Sequence, residues 1–381
     1  MNCTDVFISS EVDSSRISPD AVIFPGCRIY GKKTSIGPGC VLGEEAPLTL
    51  KNCQLGRNVK LKGGFCSGSV FLDGAELGSA AHVRAGTILE ECAGGAHAVG
   101  LKQTILFPFV QLGSLINFCD VLMAGGTDRK NHGEVGSSYI HFNFTPHQDK
   151  ATASLIGDVP RGVLLNQNPV FLGGQGGFAG PLRIAYGTVI PAGGICRKDI
   201  PDENTLHIPE TPMPHSAPYD QGIYKRIDRI VKNNLVYIGS IVALTAWYKN
   251  VRVLFVRDAF DEAVLDGALD ALSVILKERI ERLEQLAGKM DYSIRALQSA
   301  GGSAAELIAQ QQKLSSEWKT MRAKIEAVET PAPAAMLLNE LHATDKSDYV
   351  AAVKKLSSGA RDGATAWLQS MVDSISTLWK I

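Results

Sequence analysis

Aliphatic residues recur at intervals of six through the first half of this chain: Ile17, Ile23 and Ile29, then Ile36 and Leu42, then Leu55 and Leu61, then Leu77, Val83 and Leu89. An irregular sandwich built on period-two strands does not produce that spacing. The fragments between them, such as IGPGCV, LGRNVK, LGSAAH and VRAGTI, set a small residue or glycine beside each aliphatic one. Three hexads close a triangular coil of about 18 residues, and stacked coils bury one another's aliphatic side chains. The period slips at Thr34–Ser35, Glu45–Asn52 and Phe65–Ser69, and such slips are expected to protrude as loops from a corner.

The pattern changes near Asp199, after which glycine becomes sparse. IPDENTLHIPETPMPHSAP is proline-rich and predicts an extended connector. Beyond it, Leu265, Leu269, Leu272, Leu276, Ile280 and Leu283 recur at helical spacing, one buried stripe on a helix. Two similar stretches flank that helix, ETPAPAA breaks the series, and a further helix or two is expected between Asp345 and Trp379. Trp318, Trp367 and Trp379 read as packing anchors or oligomer contacts. The expected fold class is thus a β-solenoid, a left-handed parallel β-helix of hexapeptide repeats, followed by an α-helical domain. Left-handed winding is compatible with parallel strands because each turn is a tight corner rather than a helical crossover. The boundaries are 1–201 for the solenoid, 202–218 for the connector and 219–381 for an α-helical bundle or coiled-coil domain.

Lys and Arg number 38 against 39 Asp and Glu, a balance with no electrostatic footprint for nucleic acid or an anionic membrane. The first residues lack the basic start and apolar core of a signal peptide. The apolar run Leu235 to Trp247 is shorter than a membrane span and predicts a buried helix. A cytoplasmic protein without a membrane span is expected. The eight cysteines contain no C-x-x-C pair and read as small, reduced core residues.

A polar stretch interrupts the solenoid pattern from Asn131 to Asp158, with three histidines among aromatic and amide side chains. Around it, VRAGTILEECAGGAHAVGLK, VGSSYIHFNFTPHQDKATASLIGD and GGFAGPLRIAYGTVIPAGGICRKDI resemble, in order and spacing, one hexapeptide family. That family is the acetyltransferase domain of the bifunctional N-acetylglucosamine-1-phosphate uridylyltransferase/glucosamine-1-phosphate acetyltransferase. The resemblance covers about a third of the chain; the uridylyltransferase domain and the helical half have no match. It implies an acyl-CoA-dependent N-acetyltransferase, with acetyl-CoA as donor, acting on an amino sugar phosphate or nucleotide sugar within a homotrimer. By matching position it implies substrate binding by Arg84, Lys102, Asn117, Asn143 and Lys150. Ser137, Gly174 and Ala192 match the edge along which the donor lies, where small residues let its pantetheine arm approach the backbone.

One departure bears on catalysis. The family's general-base histidine falls on Ser114, and its nearby tyrosine on Asn117. A serine cannot take the proton near neutral pH without a basic partner. His132 ends an insertion of about six residues and stands eighteen residues after Ser114, so an unbroken solenoid would stack it one coil above, with Glu134 fixing its tautomer. His141 and His147 are the alternative bases. Loss of the histidine also leaves open a non-catalytic protein that binds sugar phosphates or serves assembly. A third reading gathers His97, His132, His141 and His147 at a trimeric metal site, although the closely spaced histidine pair of hexapeptide carbonic anhydrases is missing.

Overall fold

A computed structural model describes residues 5–300 and 304–380. The first half is a parallel β-solenoid of about 11 turns, followed by a helical region. Three ladders of short parallel strands form three faces. On the first face Phe65 pairs with His82, His82 with Gly100, Gly100 with Asn117 and Asn117 with Ile140. The second face stacks Val70, Ile88, Ile105, Leu122 and Leu155. Gln111, Glu134 and Phe171 belong to the third. The strands Gly100–Leu106 and Asn117–Met123 run around a corner and belong to two faces at once. They bend at Gln103 (φ 47°) and Asp120 (φ 63°), left-handed positions occupied here by polar side chains.

Inside the prism Ile29, Leu50, Cys66, Val83, Leu101 and Phe118 form one column of the core. Two predicted slips do not protrude: Leu48–Lys51 and Gly64–Ser67 are paired strands of the first face. Corners absorb the irregular spacing, because a tight turn can change length without disturbing the ladder. Longer insertions do emerge: a hairpin of Gly126–Asp128 and Asn131–His132, a loop at 143–153, and a short helix α1, Val159–Gly162. Pairing also continues past residue 201, since Val189 bridges to Leu206. Of the cysteines, Cys27, Cys40, Cys53, Cys66, Cys119 and Cys196 are buried free thiols and Cys92 is half-buried; Cys3 lies outside the described residues.

The helices are α2 (Asp228–Asn250), α3 (Ala259–Ala300), α4 (Ala305–Glu326), α5 (Ala335–His342), α6 (Tyr349–Lys354) and α7 (Ser358–Ser376). They do not form a bundle separate from the solenoid. Val70, Leu72, Ile88, Ile105, Phe107 and Leu122 project outward from the second face into one core with Leu235, Ile238, Leu272, Ile275 and Leu283. Second-face strands are therefore buried on both sides. The helical segment Asp228–Phe255, which contains α2, is long and apolar enough to cross a membrane by length and composition, longer than its apolar run suggested; 78% of its most apolar 18-residue stretch is buried within the protein. Its apolar surface is accounted for by packing against α7, α3 and the solenoid. Trp318, Trp367 and Trp379 are buried anchors, with Trp367 donating to the Pro331 carbonyl and Trp379 to Asp228.

Candidate active site

Edge one joins the first face to the second, edge two the second to the third, and edge three the third to the first. Strand alternation turns Val83, Leu101 and Phe118 inward and leaves two columns outside. One runs His82, Gly100, Asn117, Ile140. The other, beside edge one, runs Arg84, Lys102, Cys119. Gly100 has no side chain, so a groove of about 430 Å³ opens between neighbouring coils, lined by His82, Arg84, Leu115 and Asn117.

Arg84, Lys102 and Lys150 converge at the edge-one end. Burial, with Asp120, pushes the Cys119 thiol pKa up, and all three cations oppose that rise. Arg84 Nη2 lies 3.6 Å from Cys119 Sγ. Asn143 Nδ2 donates to Asp120 Oδ2 at 3.2 Å, and Asp120 Oδ1 pairs with Arg279 Nη2 at 2.9 Å. Arg279, from α3, is 1% exposed and also donates to the Lys150 carbonyl. The Lys150 ammonium stands over the Phe144 ring. Lys102 is 3.6 Å from Glu278, again on α3. Four of the five predicted acceptor residues thus cluster at edge one, while Asn117 lies across the face.

Edge three carries the other predicted set. The Ser114 N–H donates to Ser137 Oγ, Gln175 N–H to the Ser137 carbonyl, and Gly193 N–H to the Gly174 carbonyl. Ser137, Gly174 and Ala192 therefore fall on successive coils of one edge. A Cβ on Gly173 would lie 2.3 Å from the Ala192 nitrogen, and one on Gly136 would lie 2.4 Å from Gly174. The coils press together there, and the edge is mostly backbone.

No protein-family model matches the chain. The bifunctional protein GlmU of Thermotoga maritima is 26% identical over 189 residues, 49% of this chain and 38% of that protein. GlmU of Pelobacter propionicus is 26% identical over 202 residues, 52% and 38% respectively. The chain thus spans less than two-fifths of the length of these relatives. This similarity, together with the stacked coils, fits a solenoid of hexapeptide repeats. A structure of an Arabidopsis UDP-N-acetylglucosamine acyltransferase covers 49% of this chain and 68% of its own at 16% identity, with a TM-score of 0.21.

The resemblance implies a base near Ser114, and here the geometry departs from expectation. His132 does not stack on Ser114. The insertion sits at edge two, so the residue above Ser114 is Ser137, 23 positions on. The His132 Nδ1 lies 3.2 Å from the Gly133 carbonyl, which takes the place expected for Glu134. Glu134 points outward on the third face.

His141 points into the prism. Its Nδ1–H donates to the Cys119 carbonyl, and its Nε2 accepts from Ser154 Oγ at 3.0 Å. Burial lowers its pKa to about 4, so it is a neutral core residue with both nitrogens satisfied. His147 holds the segment that leads into α2, accepting from Gly222 N–H and packing its ring against Tyr224. His97 stacks beneath Ser114 at edge three. The four histidines of the metal reading therefore occupy four separate places in the chain. Among the described residues, no three His, Cys, Asp or Glu side chains are placed to hold a metal ion.

The imidazole that does reach the groove is His82, which stands just before the matching stretch VRAGTILEECAGGAHAVGLK and is given no role by the resemblance. Its ring is exposed and stacks on Phe65 with centroids 5.2 Å apart. Alternation in Ala81-His82-Val83-Arg84 carries the signal: whatever turns Val83 inward turns His82 outward beside Arg84.

Proposed function

We propose that this chain is a cytoplasmic acyl-CoA-dependent N-acyltransferase, with acetyl-CoA as donor, acting on an amino sugar phosphate or nucleotide sugar. The observation that carries this reading is the bracketing of one open face by two different edges. Arg84, Lys102 and Lys150 supply positive charge at edge one, while the stacked backbone at Ser137, Gly174 and Ala192 lines edge three. Asn117 to Cys119 is a step of about 7 Å at the usual strand rise, short enough for one sugar ring to reach from the cations toward a thioester.

A phosphate would be held by the Arg84 fork with the Lys102 and Lys150 ammonium groups, and Asn117 would hydrogen-bond the sugar. The donor supplies an activated acyl carbonyl and a thiolate leaving group. As the acceptor nitrogen attacks that carbonyl, it must lose a proton. His82 takes that role in place of the histidine absent at Ser114, because its imidazole lines the groove and is open to the ligand. Leu115, Ile140, Phe142 and Phe144 are exposed apolar side chains on and around this face, which supports its closure by neighbouring copies in a homotrimer.

The test is release of CoA from acetyl-CoA in the presence of glucosamine 1-phosphate. Turnover that falls at least tenfold in kcat/KM for Arg84→Ala or Lys102→Ala supports the reading. His82→Gln is expected to lower kcat by about 10²–10⁴-fold with KM little changed. Saturable binding of the sugar phosphate without CoA release overturns the catalytic reading and leaves a binding or assembly protein.

A further inference from the structure

Helix α3 brings a carboxylate to the cationic end of the groove. Glu278 Oε1 lies 3.6 Å from Lys102 Nζ and 3.0 Å from Arg282 Nη2, and Gln103 Nε2 donates to its second oxygen. Arg279 Nη2 stands 3.5 Å away. Burial raises the Glu278 pKa, but the Arg282 hydrogen bond, reinforced by Lys102, Arg279 and Gln103, outweighs it and holds the carboxyl below its usual range. The group is therefore ionised at neutral pH. Arg84, by contrast, is exposed and has the weak Cys119 contact as its side-chain hydrogen bond. Of the three edge-one cations, Lys102 is thus already matched by the protein, whereas Arg84 is open to a ligand.

We propose, resting on the acceptor reading above, that Glu278 is a built-in counter-ion that occupies the phosphate position until an anionic acceptor displaces it. The solenoid donors that hold its carboxylate, the Lys102 ammonium and the Gln103 amide N–H, are donors a phosphate oxygen accepts from equally well. A neutral sugar has no charge with which to compete for Lys102. Glu278 therefore selects for a phosphate dianion or a diphosphate. Once displaced it keeps Arg282, one turn along the same helix, so its release does not strand a charge. Because Glu278 belongs to α3, occupancy of the groove changes a contact of the helical half.

Calorimetric titration of the full chain with glucosamine 1-phosphate, and with uncharged glucosamine analogues acetylated at nitrogen, tests this. Glu278→Gln is expected to bind the phosphate at least tenfold more tightly and the uncharged analogue no differently. The gain should vanish when Lys102→Met is added. Should Glu278→Gln fail to fold, Glu278→Asp shortens the reach to Lys102 while keeping the charge beside Arg282, and a smaller gain in phosphate affinity is expected. A variant that binds the phosphate equally or more weakly, beside a wild type that binds it, overturns the counter-ion. No phosphate binding by wild type or variant, with Arg84→Ala also without effect, overturns the acceptor site itself.

Discussion

His141 and Gly100 illustrate what single residues contribute. His141 has a folded pKa near 4 against about 6.5 for an unperturbed histidine, because burial disfavours the imidazolium. The unfolded chain therefore takes up that proton first as pH falls. The stability the neutral ring contributes is complete above about pH 6.5 and is lost between there and pH 4, by about 3 kcal/mol in all. Urea unfolding across that window should show a steeper decline for the wild type than for His141→Asn. Equal slopes would mean that the ring titrates freely.

Gly100 behaves in the opposite way. A Cβ there would meet nothing nearer than 3.7 Å, and its φ is not positive, so the fold does not require glycine. Gly100→Val should melt within a few degrees of wild type and yet lose most acceptor affinity, since its side chain would fill the groove. At Gly173, where a Cβ would strike Ala192, the same change should unfold the edge.

Two elements decide whether the sequence could be read. The coils were legible because six-residue spacing has few other causes. The helices were legible because their stripes are long, although α3 runs on to Ala300, well past the last stripe residue Leu283, and α5 gave no signal. What escaped was packing between the halves. Its trace is nonetheless visible in SVFL at 69–72, TILF at 104–107 and VLMA at 121–124. Such near-continuous apolar runs belong to strands covered on both faces.

The position of His132 escaped for a different reason: counting eighteen assumes an unbroken coil, and the hairpin at edge two breaks it. At the same edge Arg252 is buried between Glu90 (2.8 Å) and Glu91 (2.6 Å) and stacks on Tyr349. Burial pushes Glu90 up to about 7, with the Arg252 charge opposing. Arg252→Ala should cost about 3–5 kcal/mol by stranding those carboxylates, measured by chemical unfolding. Arg252→Lys should recover only part, since an ammonium lacks the planar fork and stacks poorly on tyrosine.

At the scale of the molecule, the second face explains why the halves are inseparable. A chain ending near residue 218 would expose Val70, Leu72, Ile88, Ile105, Phe107 and Leu122 as one apolar strip. Light scattering should show it aggregating, while the full chain stays dispersed. A dispersed, folded fragment would contradict the shared core.

The length of α3 has a mechanical consequence. At 1.5 Å per residue its 42 residues reach roughly 60 Å, and it touches coil after coil: Lys33 through Asp270, Gly86 through Ile275, Gln103 through Glu278, Asp120 through Arg279, and the His147 carbonyl through Lys289. Stacked coils held only by their neighbours can open one at a time from an end. A rod fastened across them acts as a splint, tying the opening of any coil between Lys33 and His147 to the rest. Amide exchange in that span should be slow and nearly uniform. The strands at Phe7–Ile8 and Val22–Ile23, outside the splint, should fray first.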